Sequence, residues 1–528
     1  MQEVRAVEVP ERYNAASDIL DGNLDQGRAD KVAIRTVDGD WTYAQVAGAA
    51  NRFGNGLREL GVEPENRVLM AVLDSPEFAA AFFGAIKSGA VPVPVNTNLK
   101  PNDYAHLLND SRAKVALVSA SLADQIREVR PQLRHLKHLV VIGQAGRDEV
   151  EYSQLVNSAP DELAPFDTTR DDMCFWLYSS GTTGFPKGAV HLQHDMRVCI
   201  ELYAKPFLEI GPADTCFSVA KLYFAYGLGN ALYFPFSAGA TTVLHAGPPT
   251  PASLLSLVRR FRPTILYSVP TSYANTLAAD PELWSEADFS SVRICVSAGE
   301  PLSSSILQRW KAKTGTDILD GIGSTECCHI FISNRVGDLV ADCSGRVVPG
   351  YDARVVDERG QPVPDGEVGN LMVKGDSICA YYWNQHARTK ATIVGEWINT
   401  GDKYVRDPQG YFRYQGRSDD MLKVGGIWVS PVEVENTIST HDAVLECAVV
   451  GVEDAQALIR PVAYVVLQPS QRETVELEES LRLHVRERLA HFKCPRDFIF
   501  VDTLPKTATG KIQRFKLREA QTQQPATA

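Results

Sequence analysis

The sequence predicts an α/β protein of more than one domain. A large multi-subdomain N-terminal part, with mixed and parallel sheets flanked by helices and a β-rich subdomain, precedes a small α+β C-terminal unit. Three observations predict this. The chain has 528 residues, more than one hydrophobic core organises, so two to four domains are expected. Apolar runs of strand length alternate with runs of helix length across short turns, the mark of parallel, buried β-structure. The composition then shifts twice, near Arg354 and again at Asp420.

Taken in order, the first clear element is a helix entered at Thr42, which with Gln45 makes a capping box; it runs toward Leu60 and stops at Gly61. A strand follows at 67–73, an Ala/Phe-rich helix at 76–88 and a second strand at 90–95. A helix near 103–110 and strands at 114–119 and 138–142 extend the unit, and 173–178 reads as a buried strand. The pattern resumes with a strand at 215–220, an apolar helix at 227–237 and a strand at 241–244. Helices at 253–261, 270–279 and 303–314 then alternate with strands at 264–269, at 292–298 and from Asp317. Past Arg354, alternating apolar residues around Glu358-Arg359-Gly360 read as a β-hairpin, and 369–374 and 411–415 continue the β-rich region. The C-terminal unit reads as a helix from Pro431, strands at 448–452 and 462–467, and a charged helix at 476–489. There is no internal repeat and no Gly-Gly-x-Ser carrier-protein attachment sequence.

Composition excludes several function classes. Apolar residues make up 44% and charged residues 22%, ordinary for a soluble globular protein. The net charge of −12, with no basic cluster, argues against nucleic acid and against an anionic membrane as partners. Ten cysteines are scattered without a Cys-x-x-Cys pair, and Cys327 and Cys328 are adjacent, so reduced thiols and a cytoplasmic location are expected. The N-terminus shows no signal-peptide pattern, and the longest early apolar run, 78–86, is too short to span a bilayer.

The most informative string is Ser179-Ser180-Gly181-Thr182-Thr183-Gly184-Phe185-Pro186-Lys187-Gly188. Glycine lets backbone N–H groups approach an anion, hydroxyls donate further hydrogen bonds, and a lysine adds a point charge. That is the chemistry of a loop gripping polyphosphate. It is not a Walker A loop, because Pro186 precedes Lys187 and Gly188 follows it. The plain alternative, a flexible linker, would not need the lysine or sit between two apolar segments.

Other strings follow in order. Asp320-Gly321-Ile322-Gly323-Ser324-Thr325-Glu326 ends a predicted strand, where open α/β sheets bind ligands. Thr325 can donate to a phosphate oxygen, and Glu326 can hold Mg²⁺, which takes carboxylate and nucleotide oxygens. Ser297-Ala298-Gly299-Glu300-Pro301 also ends a strand. In Thr400-Gly401-Asp402 the carboxylate can accept from two neighbouring hydroxyls, as a ribose presents them. Gly416-Arg417-Ser418-Asp419-Asp420-Met421-Leu422-Lys423 and Pro505-Lys506-Thr507-Ala508-Thr509-Gly510-Lys511-Ile512 are charged, Gly- or Thr-bearing segments. The plain alternative for the first is a charged surface turn, and for the second a lysine that is simply solvated in a Gly/Thr loop. His191 and His194 are three apart with no third zinc-type ligand nearby, so a metal site there is not expected.

These strings, in this order and over nearly the whole chain, resemble the acyl-adenylate-forming enzymes: acyl- and aryl-CoA ligases, luciferases and adenylation domains. The resemblance is strongest to the benzoate–CoA and hydroxybenzoate–CoA ligase group. It implies an N-terminal AMP-binding domain over 1–418, a mobile C-terminal lid over 419–528 and a hinge at Asp419. It places Ser297 to Pro301 against adenine, Arg417 on ribose, and Lys423, Gly425 and Gly426 on the face presented during thioester formation. Where relatives carry an adenine-stacking aromatic, this chain has Ile322. Lys511 becomes the catalytic lysine, a cation bridging an attacking carboxylate and an α-phosphate, with Thr325 and Glu326 as its catalytic partners. Ala225, Tyr226, Gly227, His329 and Ile330 become walls of an acyl pocket whose aromatic character suits a benzene ring. Cys327 and Cys328 stand where a bulkier apolar residue is expected.

The implied activity is ATP-dependent, AMP-forming ligation of an aromatic carboxylate to coenzyme A, with ATP, Mg²⁺ and CoA as cofactors. A monomer or homodimer is expected, with a lysine acetyltransferase and deacetylase as possible partners acting on Lys511. Two rivals use the same residues: an adenylating enzyme that loads a carrier protein, and a nucleotide-binding protein without catalysis. The joint presence of Thr325, Glu326, Asp402, Arg417 and Lys511 argues against the second.

Overall fold

The computed structural model describes residues 7–181, 184–417, 420–424, 427–453, 459–506 and 512–522. Strand–helix alternation builds two parallel layers. One is a five-stranded sheet in the order Val91–Pro94, Arg67–Ala71, Val115–Ser119, His138–Ile142, Val150–Glu151, parallel throughout. The helix Tyr43–Glu59 has the expected entry: Gln45 N–H donates to Thr42 Oγ1 at 3.2 Å and Thr42 N–H donates to Gln45 Oε1 at 2.8 Å.

The larger sheet has nine strands, ordered Arg346–Val347, Ile330–Ser333, Ile318–Gly323, Ile294–Ser297, Ile265–Ser268, Thr215–Ser218, Thr241–Val243, Val32–Thr36, Gly39–Thr42. From Ile318–Gly323 to Val32–Thr36 neighbours are parallel. Thr215–Ser218, Ile265–Ser268, Ile294–Ser297 and the start of Ile318–Gly323 are largely buried, as a sheet covered on both faces requires. Parallel order ends at Ile318–Gly323, because Ile330–Ser333 turns back antiparallel to it. The tight connection between them carries Ser324 to His329.

The β-rich subdomain centres on Asp352–Val356, Val368–Lys374 and Trp397–Arg406, with Phe412–Arg417 paired to the last. The expected hairpin at Glu358-Arg359-Gly360 closes only as an isolated bridge from Val356 to Pro362; the main partner of Asp352–Val356 is Val368–Lys374. The C-terminal unit pairs Val444–Glu453 antiparallel with Ile459–Leu467 and adds Asp497–Phe500 in parallel. Its helices include Pro431–Ser439, Val475–Arg486 and Arg514–Thr522. Arg514 reaches both carboxylate oxygens of Glu435 at 2.8 Å and lies 3.7 Å from Asp420, which also takes Arg518 at 3.1 Å.

Two helices depart from simple expectation. The stretch expected as one helix over 227–237 is Ala225–Leu228, a π-helical turn Gly229–Tyr233, then Phe234–Ala238. A second π-turn, Ile200–Ala204, interrupts Asp195–Cys199 and Lys205–Leu208. Such turns widen a helix and cluster at functional sites. All ten cysteines are free and nine are buried. No helix among the described residues is long and apolar enough to cross a membrane.

Candidate active site

On both sides of Thr182 and Thr183, the Ser179–Gly188 string is strand and not loop. Met173–Gly181 and Gly184–Leu192 form an antiparallel hairpin in which Ser179 faces Lys187 and Tyr178 faces Gly188. The buried strand expected at 173–178 therefore runs on through the first polar residues, and the pairing shifts register between Ser179 and Gly181. Thr182 and Thr183 lie outside the described residues. Ser180, Gly181 and Gly184 are strand residues beside them.

Lys187 crosses to the turn after Ile318–Gly323. Its Nζ stands 2.8 Å from Glu326 Oε1 and donates to the Tyr382 hydroxyl at 2.6 Å. That hydroxyl donates to Glu326 Oε1 at 2.9 Å, and Ser179 Oγ donates to the same oxygen at 3.1 Å. The ammonium also lies 4.1 Å from the centre of the Tyr382 ring, within cation–π range. Burial opposes ionisation of Glu326, but the charge and hydrogen bond of Lys187 and the Tyr382 hydroxyl outweigh it and lower the carboxyl to about 2. Glu326 is thus an anion held ready in a nearly closed place.

The turn itself is hung from two other segments. His191 Nε2 lies 2.8 Å from the Thr325 carbonyl; a carbonyl only accepts, so this nitrogen carries a proton. His191 Nδ1 lies 2.6 Å from Asp195 Oδ2, both side chains are fully buried, and the ring stacks on Phe175. Cys379 N–H donates to the Glu326 carbonyl at 2.7 Å and Ser377 Oγ to the Cys327 carbonyl at 2.8 Å. Ser324 Oγ caps the short 3₁₀ turn Thr325–Cys327 by accepting from Cys327 N–H at 3.1 Å.

At Cys328 the backbone is forced. Its φ of +67° and ψ of −42°, with His329 N–H donating to the Cys327 carbonyl at 2.8 Å, make the rare, strained form of γ-turn. The reversal sends His329 into a cage. Its ring lies 5.6 Å from Tyr203, 5.7 Å from Tyr226, 6.4 Å from Tyr233 and 4.5 Å from Phe234, centre to centre. The two π-turns supply Tyr203 and Tyr233. Gly229 makes room: a Cβ there would stand 2.4 Å from His329 Cδ2. Neither ring nitrogen of His329 has a hydrogen bond of ordinary geometry. Burial pushes its imidazole down to about 3, against a smaller opposite pull from the Tyr226 backbone. Ile330 is buried beside it, Ala225 and Tyr226 are partly buried against the same core, and Gly227 is buried.

The remaining predicted residues lie at neighbouring strand ends. Ser297 pairs in register with Asp320 across two parallel strands. Burial drives the Asp320 carboxyl well above the usual range, against a smaller opposite pull from Ser297. Ala298 is buried, Gly299 has φ +90°, and Pro301 is exposed. Glu300 Oε2 accepts from Thr271 N–H at 3.1 Å and Thr271 Oγ1 at 2.7 Å. Gly321 is buried; Ile322 is half-buried against the main core, and Gly323 is half-buried. Asp402 Oδ1 accepts from Arg417 at 2.9 Å, and Arg417 feels the charge of Glu326. Lys423 lies in the hairpin Leu422–Val424 with Ile427–Val429. Asp419, Gly425, Gly426 and Lys511 lie outside the described residues. Lys506 bridges to Ile512 and Gln513 N–H donates to the Pro505 carbonyl at 2.7 Å, on either side of the Lys511 segment.

Sequence reasoning missed Tyr382, which sits in an unremarkable Tyr-Tyr-Trp string far from its partners. It also considered His191 only as a metal ligand; the i, i+4 spacing to Asp195 was the available signal.

The family model for AMP-binding enzymes matches residues 23–383, and the model for the AMP-binding enzyme C-terminal domain matches 433–511. A benzoate–CoA ligase of Thauera aromatica is 50% identical over 98% of this chain and 97% of its own length. The crystal structure of an anthranilate CoA ligase in complex with anthranoyl-AMP superposes with a TM-score of 0.94 at 44% identity, covering 97% of this chain and 98% of the other. That of a benzoate CoA ligase from Burkholderia xenovorans LB400 gives 0.89 at 46% identity, covering 96% and 100%. The chain belongs to the AMP-binding enzyme family.

Proposed function

We propose that this chain is an ATP-dependent, AMP-forming aryl–CoA ligase that converts benzoate or a hydroxybenzoate to its CoA thioester through an aryl-adenylate. One observation carries the reading to an aromatic acid: a single short turn bears Glu326, held as an anion beside Lys187, and His329, enclosed by Tyr203, Tyr226, Tyr233 and Phe234. Such a wall suits a benzene ring better than a long flexible acyl chain. The names of the relatives, which are aryl–CoA ligases, support the same substrate class.

A carboxylate is a poor acyl donor because its leaving group would be oxide. In the first half-reaction its oxygen attacks the α-phosphorus of ATP and pyrophosphate leaves. In the second, the CoA thiol sulfur attacks the acyl carbon and AMP leaves. Neither step needs a covalent enzyme intermediate, so positioning and charge do the work. The hairpin carrying Ser179 and Lys187 grips phosphate, with Thr325 as a further donor. The strand ends at Ser297–Pro301 and Asp320–Ser324 border adenine, and Asp402 with Arg417 takes the ribose. Lys511 supplies the cation between carboxylate and α-phosphate. Turning of the C-terminal domain at Asp419 then exchanges it for the face around Lys423, Gly425 and Gly426.

The donor chemistry fits Mg²⁺ at Glu326. The carboxylate is a hard oxygen donor kept ionised. Among the described residues, no group of three or more His, Cys, Asp or Glu gathers into a protein cage. A hard cation there would be held by that carboxylate together with substrate phosphates. When bound, it neutralises charge on the polyphosphate.

Pyrophosphate release across benzoate, hydroxybenzoates, aminobenzoates and fatty acids, with and without CoA, tests the reading. An aromatic acid should give the highest kcat/KM and yield a CoA thioester. A fatty acid of about ten carbons winning would overturn the cage assignment. Adenylate accumulating without thioester would favour a carrier-protein acceptor.

A further inference from the structure

Lys187 and Glu326 are assigned above to opposite tasks, one for phosphate and one for a cation, yet here they satisfy each other. Their side chains are only 18% and 12% exposed, and they stand 2.8 Å apart. A ligand that takes only one of them strands the other, and a stranded charge in a largely buried place is costly. Metal-free ATP would draw Lys187 away and leave Glu326 facing further negative charge. A lone cation would take Glu326 and leave Lys187 beside it. ATP and a cation arriving together replace one pair by two.

Tyr382 touches both members. Its hydroxyl accepts from Lys187 at 2.6 Å and donates to Glu326 Oε1 at 2.9 Å, and its ring lies 4.1 Å from the ammonium. A hydroxyl is donor and acceptor at once, so it can keep its bond to each partner when the two part. Its place is fixed by backbone: Tyr382 pairs with Ala189 on the hairpin strand that carries Lys187, and its N–H donates to Thr389 Oγ1 at 3.0 Å.

We propose that Tyr382 is a positioning residue of the nucleotide site, and that Lys187 and Glu326 form an exchange pair that makes ATP and a divalent cation bind cooperatively. This rests on the aryl–CoA ligase reading. It goes beyond it by predicting a linkage whose sign is unusual: removing a metal-binding carboxylate tightens the grip on metal-free nucleotide.

The test is titration calorimetry of the full-length protein with ATP, in EDTA and in excess MgCl₂, on wild type, Glu326→Gln and Tyr382→Phe, with thermal melts as a folding control. Glu326→Gln should bind metal-free ATP about 5- to 20-fold more tightly than wild type and lose most of the affinity gained from Mg²⁺, the range of ordinary coupling between sites. Tyr382→Phe should bind ATP about 3- to 10-fold more weakly in both conditions while its KM for benzoate stays unchanged. A purely structural Tyr382 would lower the melting point and leave the ATP and Mg²⁺ affinities alone. Metal-free affinity of Glu326→Gln equal to or below wild type overturns the exchange pair, and wild-type ATP affinity in folded Tyr382→Phe overturns the positioning role. If Tyr382→Phe does not fold, the Glu326→Gln arm decides. Wild type that makes aryl–CoA but shows no linkage sinks this proposal alone; wild type that neither binds ATP nor makes thioester sinks the functional reading with it.

Discussion

Glu326 and His329 sit three residues apart, yet the two regions they anchor solve burial in opposite ways. Around Glu326, Lys187, Ser179 and Tyr382 all converge on one carboxylate oxygen. Around His329 there are rings, and the imidazole stays neutral without a good hydrogen bond. The first region keeps charge by pairing it, so it can recognise a charged ligand by exchanging partners. The second excludes charge, so on the proposed function it would select by shape and apolar contact, with one unspent polar edge.

The comparison is sharpened most by Lys511→Ala. If the charged region alone drives adenylation, this variant should lose on the order of 10²–10³ in adenylate formation. Thioester formation from supplied aryl-AMP should stay nearly intact. Single-turnover assays of each step read this, and equal loss in both would break the two-pose mechanism. Asp419→Pro, with φ fixed near −65°, should show the reverse asymmetry. Acetylation of Lys511 removes the same charge and should mimic the alanine variant.

Lys187→Met tests the cost of unpairing. It leaves Glu326 largely buried without its cation and should destabilise the fold by about 3 kcal/mol at neutral pH, read as a lowered unfolding midpoint. Glu326 has a depressed folded pKa, so the stabilisation from its pair is present above 4.5 and lost as pH falls toward 2. In Lys187→Met this acid-dependent loss should shrink.

Gly229→Ala attacks the cage from its helical wall. The new methyl must displace His329 or Tyr233, so kcat/KM for benzoate should fall about 10-fold or more. The KM for ATP should hold. A rise in the KM for ATP as well would mean the two regions are not separable.

The smallest effect is a slope. His329 is neutral when folded, with its pKa lowered from 6.5 to about 3. Between these values the unfolded chain binds the extra proton, so this residue makes stability rise with pH. His329→Phe should flatten the pH dependence of unfolding by up to about 1.4 kcal/mol per pH unit over that window. An unchanged slope would show that the imidazole is not held neutral.

Much of this was legible in the sequence, because strand–helix alternation and motif position at strand ends are local facts. The strand at Ile294–Ser297 delivers Gly299 and Glu300, and the strand at Ile318–Gly323 delivers Thr325 and Glu326, as the spacing predicts. What stayed hidden depends on contacts across the fold. Tyr382 reaches Lys187 only because Tyr381–Tyr382 adds a strand to the hairpin. The π-turn at Gly229–Tyr233, against which His329 packs, leaves no mark in the helical periodicity. The strained backbone at Cys328 likewise has no signature, since cysteine rarely adopts positive φ.

The turn Ser324–His329 can also be regarded as a gauge. On the proposed function, it fixes the spacing between the place where a nucleotide's charge is met and the place where an acid's ring is enclosed. Its carbonyls are tied to His191, Cys379 and Ser377, so that spacing is set by the frame of the molecule and not by either ligand. Evolution toward a new acid then has two unequal routes. Changes on the helical walls that carry Tyr203, Gly229 and Tyr233 should retune the acid alone. Changes on the turn move the gauge, and a variant made there to admit a larger ring will handle ATP differently as well.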